Sequence, residues 1–387
     1  MKIGIVCYPT FGGSGVVATE LGKALAQKGH QIHFIAYSQP FRLNYFSENL
    51  FYHEVSVSDY PLFEYQPYES ALASKLVDVV KYENLDLLHV HYAIPHASAA
   101  LMAKQILAKQ GYNIPFITTL HGTDITLVGK DASFEPVIKY SMEMSDAVTA
   151  VSESLRRDTY EIFKLDKEIE VIPNFINIEE YNVVFENHKC QKNHYAPNGE
   201  KIMIHVSNFR AVKRVGDVLR VFDKVRKEIP TKLILVGDGP ERGNIEKLCR
   251  ELDTCNDIHS LGKIIDPKEI LSIGDLFVLT SETESFGLSA LEAMAMKMPV
   301  ISTNTGGLPE VNEHGITGFL SNVGDIDDMA KNALKLFSNP ELLNQFKKQA
   351  YEKAVSFDIQ NILPLYEILY NKVLRKQTAI SIDTIKN

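Results

Sequence analysis

Twice along this chain, short apolar runs of β character alternate with segments of helical spacing, and one polar stretch separates the two series. The first series has apolar runs at residues 3–8, 32–37, 87–91, 116–120, 147–151 and 169–172, with helical spacing at 16–27 and 71–82, for example. Such alternation calls for a parallel sheet covered by helices on both faces. After Pro173-Asn174-Phe175 the periodicity weakens, and residues 178–199 are polar, with Pro197-Asn198-Gly199 a strong turn signal. Apolar runs then resume at 202–206, 232–236, 258–261, 276–279 and 299–302. The expected fold class is α/β, with two Rossmann-like domains at residues 1–175 and 176–358. Over residues 359–375 a helical tail carries Ile362, Leu363, Tyr366, Leu369, Tyr370 and Val373 near one face, free to pack back on the first domain or on the second.

Two domains also suit 387 residues, more than one ordinary core supports. An apolar share of 45% beside 23% charged residues is that of a soluble globular protein. The net charge of −9 argues against nucleic acid or an anionic membrane as a partner, since both select basic surfaces. Cys7, Cys190, Cys249 and Cys255 have no CxxC or framework spacing and read as reduced thiols. The N-terminus runs straight into a strand pattern, and no later apolar run reaches membrane-spanning length. A cytoplasmic protein without stable membrane insertion is expected, and a homo-oligomer stays open.

The stretch from Ser281 to Glu292 reads as the turn between a strand and a helix. A helix N-terminus there offers free backbone N–H groups, and Gly287 permits close approach of a ligand. Glu284 and Glu292 flank this anion-attracting turn. Carboxylates repel a bare phosphate yet accept hydrogen bonds from sugar hydroxyls, so a ligand part phosphate and part polyol satisfies both halves.

Other turns add to this chemistry. Gly12-Gly13-Ser14-Gly15 follows the first strand, where glycines permit positive φ and backbone approach to an anion. It is neither a Walker A loop nor a GxGxxG fingerprint, which weighs against dinucleotide binding. Arg210, Lys213 and Arg214 follow the second domain's first strand and suit a diphosphate clamp, the alternative being a solvated basic turn. Thr305-Gly306-Gly307-Leu308-Pro309-Glu310 can present backbone N–H groups. His89, His91, His96 and His121 lack the acidic partners and HExxH spacing of a metal site, and His121-Gly122-Thr123-Asp124 sits where α/β sheets bind ligands. Asp325-Ile326-Asp327-Asp328 superficially resembles a cation-holding DxD element but reads better as a helix cap. No metal ligand set is assigned.

Taken together, ESFGLSALEAMAMKMPV, the glycine loop, the basic turn and the GGLPE turn resemble the retaining glycosyltransferases of family four, over nearly the whole chain. The resemblance implies the GT-B architecture, two facing Rossmann-like domains with the nucleotide-sugar site in the cleft. In the first domain, CYPTFGGSGVVATELG, PFRL, LLHVHYAIPHA and TTLHGTDIT are similar to family members that transfer N-acetylglucosamine from UDP-N-acetylglucosamine to the hydroxyl of L-malate, opening bacillithiol biosynthesis.

The same resemblance implies roles for single residues. By it, Glu292 accepts the ribose hydroxyls, Glu284 holds the transferred sugar, and the backbone around Ser285, Phe286, Gly287 and Leu288 lines the donor. Arg210 with Lys213 or Arg214 clamps the diphosphate beside Asn208, though the spacing departs from the commoner family pattern and leaves open which of the two reaches it. Gly13 approaches the diphosphate from the first domain, and His121 lies over the donor sugar. Ser14, Tyr92, Thr119 and Lys139 take the acceptor, with Arg42 in reserve. No cofactor is implied. A lipid-linked or glycan acceptor is the competing reading, weakened because the apolar run 41–51 carries only Arg42 as a cation; a non-catalytic UDP-sugar-binding protein is another.

Overall fold

The computed structural model describes residues 1–10, 12–43, 47–57, 61–187 and 192–385. The chain divides into two compact units, Met1–Asn174 with Ile359–Asn387, and Phe175–Asp358.

The first unit holds seven parallel strands: β1 (Lys2–Val6), β2 (Gln31–Ala36), β3 (Leu50–Glu54), β4 (Leu87–His91), β5 (Phe116–Leu120), β6 (Ala147–Ala150) and β7 (Ile169–Val171). Their order is β3-β2-β1-β4-β5-β6-β7, so the winding reverses between β1 and β4. Both β4 (LLHVH) and β5 (FITTL) are buried at every residue, as central strands covered on both faces must be. The helix Ile359–Ile385 belongs to this unit, and its Tyr366 and Tyr370 are fully buried. Tyr370 Oη lies 2.8 Å from His89 Nδ1 on β4, while Glu367 pairs with His30 at 3.1 Å.

The second unit has six parallel strands: β8 (Lys201–Val206), β9 (Thr231–Val236), β10 (Ile258–Gly262), β11 (Leu276–Leu279), β12 (Val300–Thr303) and β13 (Gly318–Ser321). In the order β10-β9-β8-β11-β12-β13 the winding reverses between β8 and β11. Its main core gathers Val218, Leu219 and Phe222 from the helix Val215–Arg226 against Leu233, Leu235 and Val278 of the sheet.

The structure differs from the sequence-based expectation in places. Strands β3 and β13 are additional. The first is a half-exposed edge strand without clean alternation, and the second is four residues long and opens on glycine. Part of the apolar run 41–51 enters β3, and residues 44–46 of it lie outside the described residues. The polar stretch after 177 is helical over Ile178–Asn187 and Lys192–Tyr195, and Lys268 holds Glu180 of the first of these helices at 2.7 Å. Not all thiols are free: Cys249 and Cys255, at the end of the helix Arg242–Glu251 and just beyond it, form a disulfide, whereas Cys7 is free and buried. Cys190 lies outside the described residues. Among the described residues, no helix is long and apolar enough to cross a membrane.

Candidate functional site

Ligands of open α/β sheets bind beyond the carboxyl ends of the strands, where the winding reverses. In the second unit those strands are β8 and β11, and the turns leaving them carry the basic residues 210–214 and the acidic stretch 281–292.

Hydrogen bonds lace these turns together. Thr280 Oγ1 donates to the carbonyls of Lys213 and Arg214 at 3.0 Å each, and Glu282 N donates to the Val212 carbonyl at 2.8 Å. From the turn after β12, Gly307 N donates to the Glu284 carbonyl at 2.8 Å, and Thr305 Oγ1 to that of Glu282 at 3.0 Å. Gly306 sits at φ +55, and a Cβ there would lie 1.9 Å from the Glu284 carbonyl oxygen, so only glycine allows this approach. Gly287 caps the helix Leu288–Ala295 at φ +100, where a Cβ would meet Leu308 at 2.6 Å.

The charged side chains then sort themselves. Lys213 Nζ reaches Glu284 Oε2 at 2.5 Å, both partly buried. Arg214 turns away, its Nε 2.7 Å from Asp217, which Arg220 also holds at 3.0 Å. Arg210 and Asn208 are exposed, and the Arg210 amide donates to the Asn208 carbonyl at 2.6 Å. Glu292 is buried at 8% exposure on the helix Leu288–Ala295, and Tyr181 Oη donates to its Oε1 at 3.1 Å. The Phe286 ring is core, packed edge-on to Phe357 at 5.6 Å, so only its backbone can serve a ligand; Ser285 and Leu288 are half-buried. Asp325 caps the helix Ile326–Phe337 by accepting from Asp328 N at 3.0 Å, as its sequence suggests.

In the first unit the reversal lies between β1 and β4. The helix Gly13–Gln27 starts beyond β1, with Gly13 exposed and Ser14 half-exposed. Positive φ is not what this turn needs: Gly12 is extended at φ −71, while a Cβ on Gly15 would lie 2.6 Å from the carbonyls of Tyr8 and Thr10. Aromatic rings gather here. Tyr8 meets Tyr92 edge-on at 5.2 Å and His96 at 4.5 Å, and Tyr92 lies 5.3 Å from His121.

Beneath them runs a buried polar chain. His121 Nε2 is 2.8 Å from His91 Nδ1, and His89 Nε2 is 2.7 Å from Thr119 Oγ1, itself 2.7 Å from Thr149 Oγ1. Thr119 is fully buried and its hydroxyl is committed to this chain, so it orders the floor instead of presenting a group to solvent. Asp124 accepts backbone N–H bonds from Ala93 at 3.0 Å, Gly122 at 2.9 Å and His121 at 3.3 Å, fixing the turns after β4 and β5 to each other. Burial holds His89 and His121 neutral, with pKa values lowered to about 3, and pushes Asp124 up to about 6 against those N–H bonds. Lys139 stands on the helix Glu135–Met144, 3.9 Å from Glu143, and Arg42 adopts φ +67.

Three contributors carry no clear signal in the sequence. Tyr8 is a strand-end aromatic like many others, and Tyr181 lies 111 residues from its partner Glu292. Asp124 is visible in HGTD, but nothing in the spacing links it to Ala93.

Comparison with known proteins accords with this geometry. Residues 11–180 match Glycosyltransferase Family 4, and residues 187–353 match Glycosyl transferases group 1. The N-acetyl-alpha-D-glucosaminyl L-malate synthase of Bacillus anthracis is 48% identical over 378 residues, 97% of this chain and 98% of the relative. An uncharacterized glycosyltransferase of Methanocaldococcus jannaschii is 26% identical over 91% of this chain and 94% of its own. Among solved structures, a glycosyltransferase from Rickettsia africae has a TM-score of 0.80 at 23% identity, covering 96% of this chain and 98% of that one. Anabaena HepE in complex with UDP-glucose has a TM-score of 0.75 at 18% identity, covering 98% and 99%.

Proposed function

This chain belongs to the glycosyltransferases of family four, with the GT-B architecture of two Rossmann-like units, and we propose that it moves N-acetylglucosamine from UDP-N-acetylglucosamine to the hydroxyl of L-malate with retention of the α configuration. That reaction opens bacillithiol biosynthesis. Near-full-length identity to the Bacillus anthracis synthase carries the reading.

The second unit takes the donor. Lys213 and Arg210 bind the diphosphate, with the amides at the start of the helix Leu288–Ala295 adding partial positive charge. A phosphate arriving at Lys213 competes with Glu284 for the ammonium and frees that carboxylate to accept from hydroxyls of the transferred sugar. Glu292, oriented by Tyr181, accepts from the ribose hydroxyls. Arg214, its Nε tied to Asp217, fixes the turn and is the alternative second clamp.

The first unit takes the acceptor. Ser14 and Tyr92 contact malate, Lys139 meets a carboxylate, and His121 faces the donor sugar, held neutral and oriented by His91. Thr119 supports them from below.

Retention needs no protein base beside the acceptor hydroxyl. The donor's own phosphate takes the acceptor proton as it leaves, on the same face of the sugar. The protein supplies positioning and stabilisation of charge on the leaving diphosphate. Malate-dependent release of UDP, with the mass of the product, tests the reading.

A further inference from the structure

A second cluster of ligating side chains lies at the edge of the first unit's sheet, away from the β1–β4 reversal. His33 on β2, His53 on β3 and Glu83 at the end of the helix Tyr68–Glu83 bring three ligand atoms within 4.8 Å of one another. His33 Nδ1 is 2.9 Å from His53 Nε2, and their rings lie nearly parallel, with Phe51 stacked on His33 at 4.6 Å. These residues join an edge strand, its sheet neighbour and a covering helix.

We propose that His33, His53 and Glu83 form a structural site for a divalent transition metal of the zinc type, with water in the fourth position, which pins β3 and the helix Tyr68–Glu83 to β2.

Two imidazoles and a carboxylate are a ligand set that zinc accepts. Bonds of about 2.0–2.1 Å in a tetrahedral site hold two nitrogens about 3.3 Å apart, so the observed pair needs to open by only a few tenths of an ångström. Neutral imidazole is the form that ligates. Glu83 supplies the negative charge at the cluster that a dication requires.

The test titrates the full chain, without a histidine tag, with Zn2+ by calorimetry and with Co2+ by visible absorption. One ion per chain is expected, with Co2+ bands of tetrahedral intensity and an upward shift of the unfolding midpoint on adding Zn2+. His53→Gln and Glu83→Gln, both at half-buried positions, are each expected to weaken binding by about tenfold or more and to abolish that shift. No saturable one-to-one binding in the unmodified chain, or undiminished binding in either variant, would overturn the proposal; the first outcome requires no variant to fold.

Discussion

Lys213 Nζ lies 2.5 Å from Glu284 Oε2, whereas the next residue, Arg214, directs its guanidinium to Asp217 at 2.7 Å. Neighbouring cations on one turn thus have different acidic partners. Arg214 itself holds a left-handed φ of +48, which separates its side chain from that of Lys213.

Lys213→Ala is expected to lower kcat/KM by about 10²–10³-fold, the usual cost of losing one donor to a developing oxyanion. Arg214→Ala is expected to cost less than tenfold, because Arg220 still holds Asp217. Steady-state kinetics on both variants decides the matter, and equal losses would contradict this division of roles.

Glu292 and Glu284 separate by ligand. Removing the charged acceptor in Glu292→Ala is expected to weaken UDP binding by about 1.5–3 kcal/mol, and Tyr181→Phe by less, since the carboxylate stays but loses its orienting donor. Glu284→Ala is expected to impair transfer more than UDP affinity. Calorimetric titration with UDP reads both, and equal loss of UDP affinity in the two Glu variants would refute the assignment.

Acid lability of the first unit arises from its histidines. His89 and His121 stay neutral down to about pH 3, whereas the unfolded chain protonates them below 6.5. Between those values the unfolded state binds more protons, so stability falls as pH falls, by about 1.4 kcal/mol per pH unit for each ring that stays neutral. Asp124 works in the opposite sense: its folded pKa of about 6 exceeds the ordinary 3.8, so acidification across that window favours the folded state by one proton. The histidines prevail. Urea unfolding at pH 7.5, 6.0 and 5.0 is expected to show a falling midpoint, and an unchanged one would contradict the burial argument.

Much of the fold is legible in the sequence because local pattern and tertiary role coincide. Strand β5 is a run of apolar residues and threonines and β4 sets three apolar residues beside two histidines, and the Glu284–Gly287 turn announces itself by glycine before a helix. The tail face of Tyr366 and Tyr370 is readable as a helical stripe, but not that Tyr370 reaches His89, which is a contact over 281 residues. Pairings such as Tyr181 with Glu292 and His91 with His121 exist only once the sheets form, and local spacing does not encode them. The strands without a clear signal, β3 and β13, lie at sheet edges where burial imposes less pattern. Thr119 shows the converse limit: its place at a strand end is plain, while its commitment to His89 and Thr149 is not.

The central claim is transfer to malate, and it is tested most directly by incubating the protein with UDP-N-acetylglucosamine and L-malate, D-malate or no acceptor, following UDP release and product mass. UDP release that requires L-malate, with a product bearing one N-acetylglucosamine in α linkage, is the predicted result. UDP release equal in all three mixtures, or none in any, would contradict it.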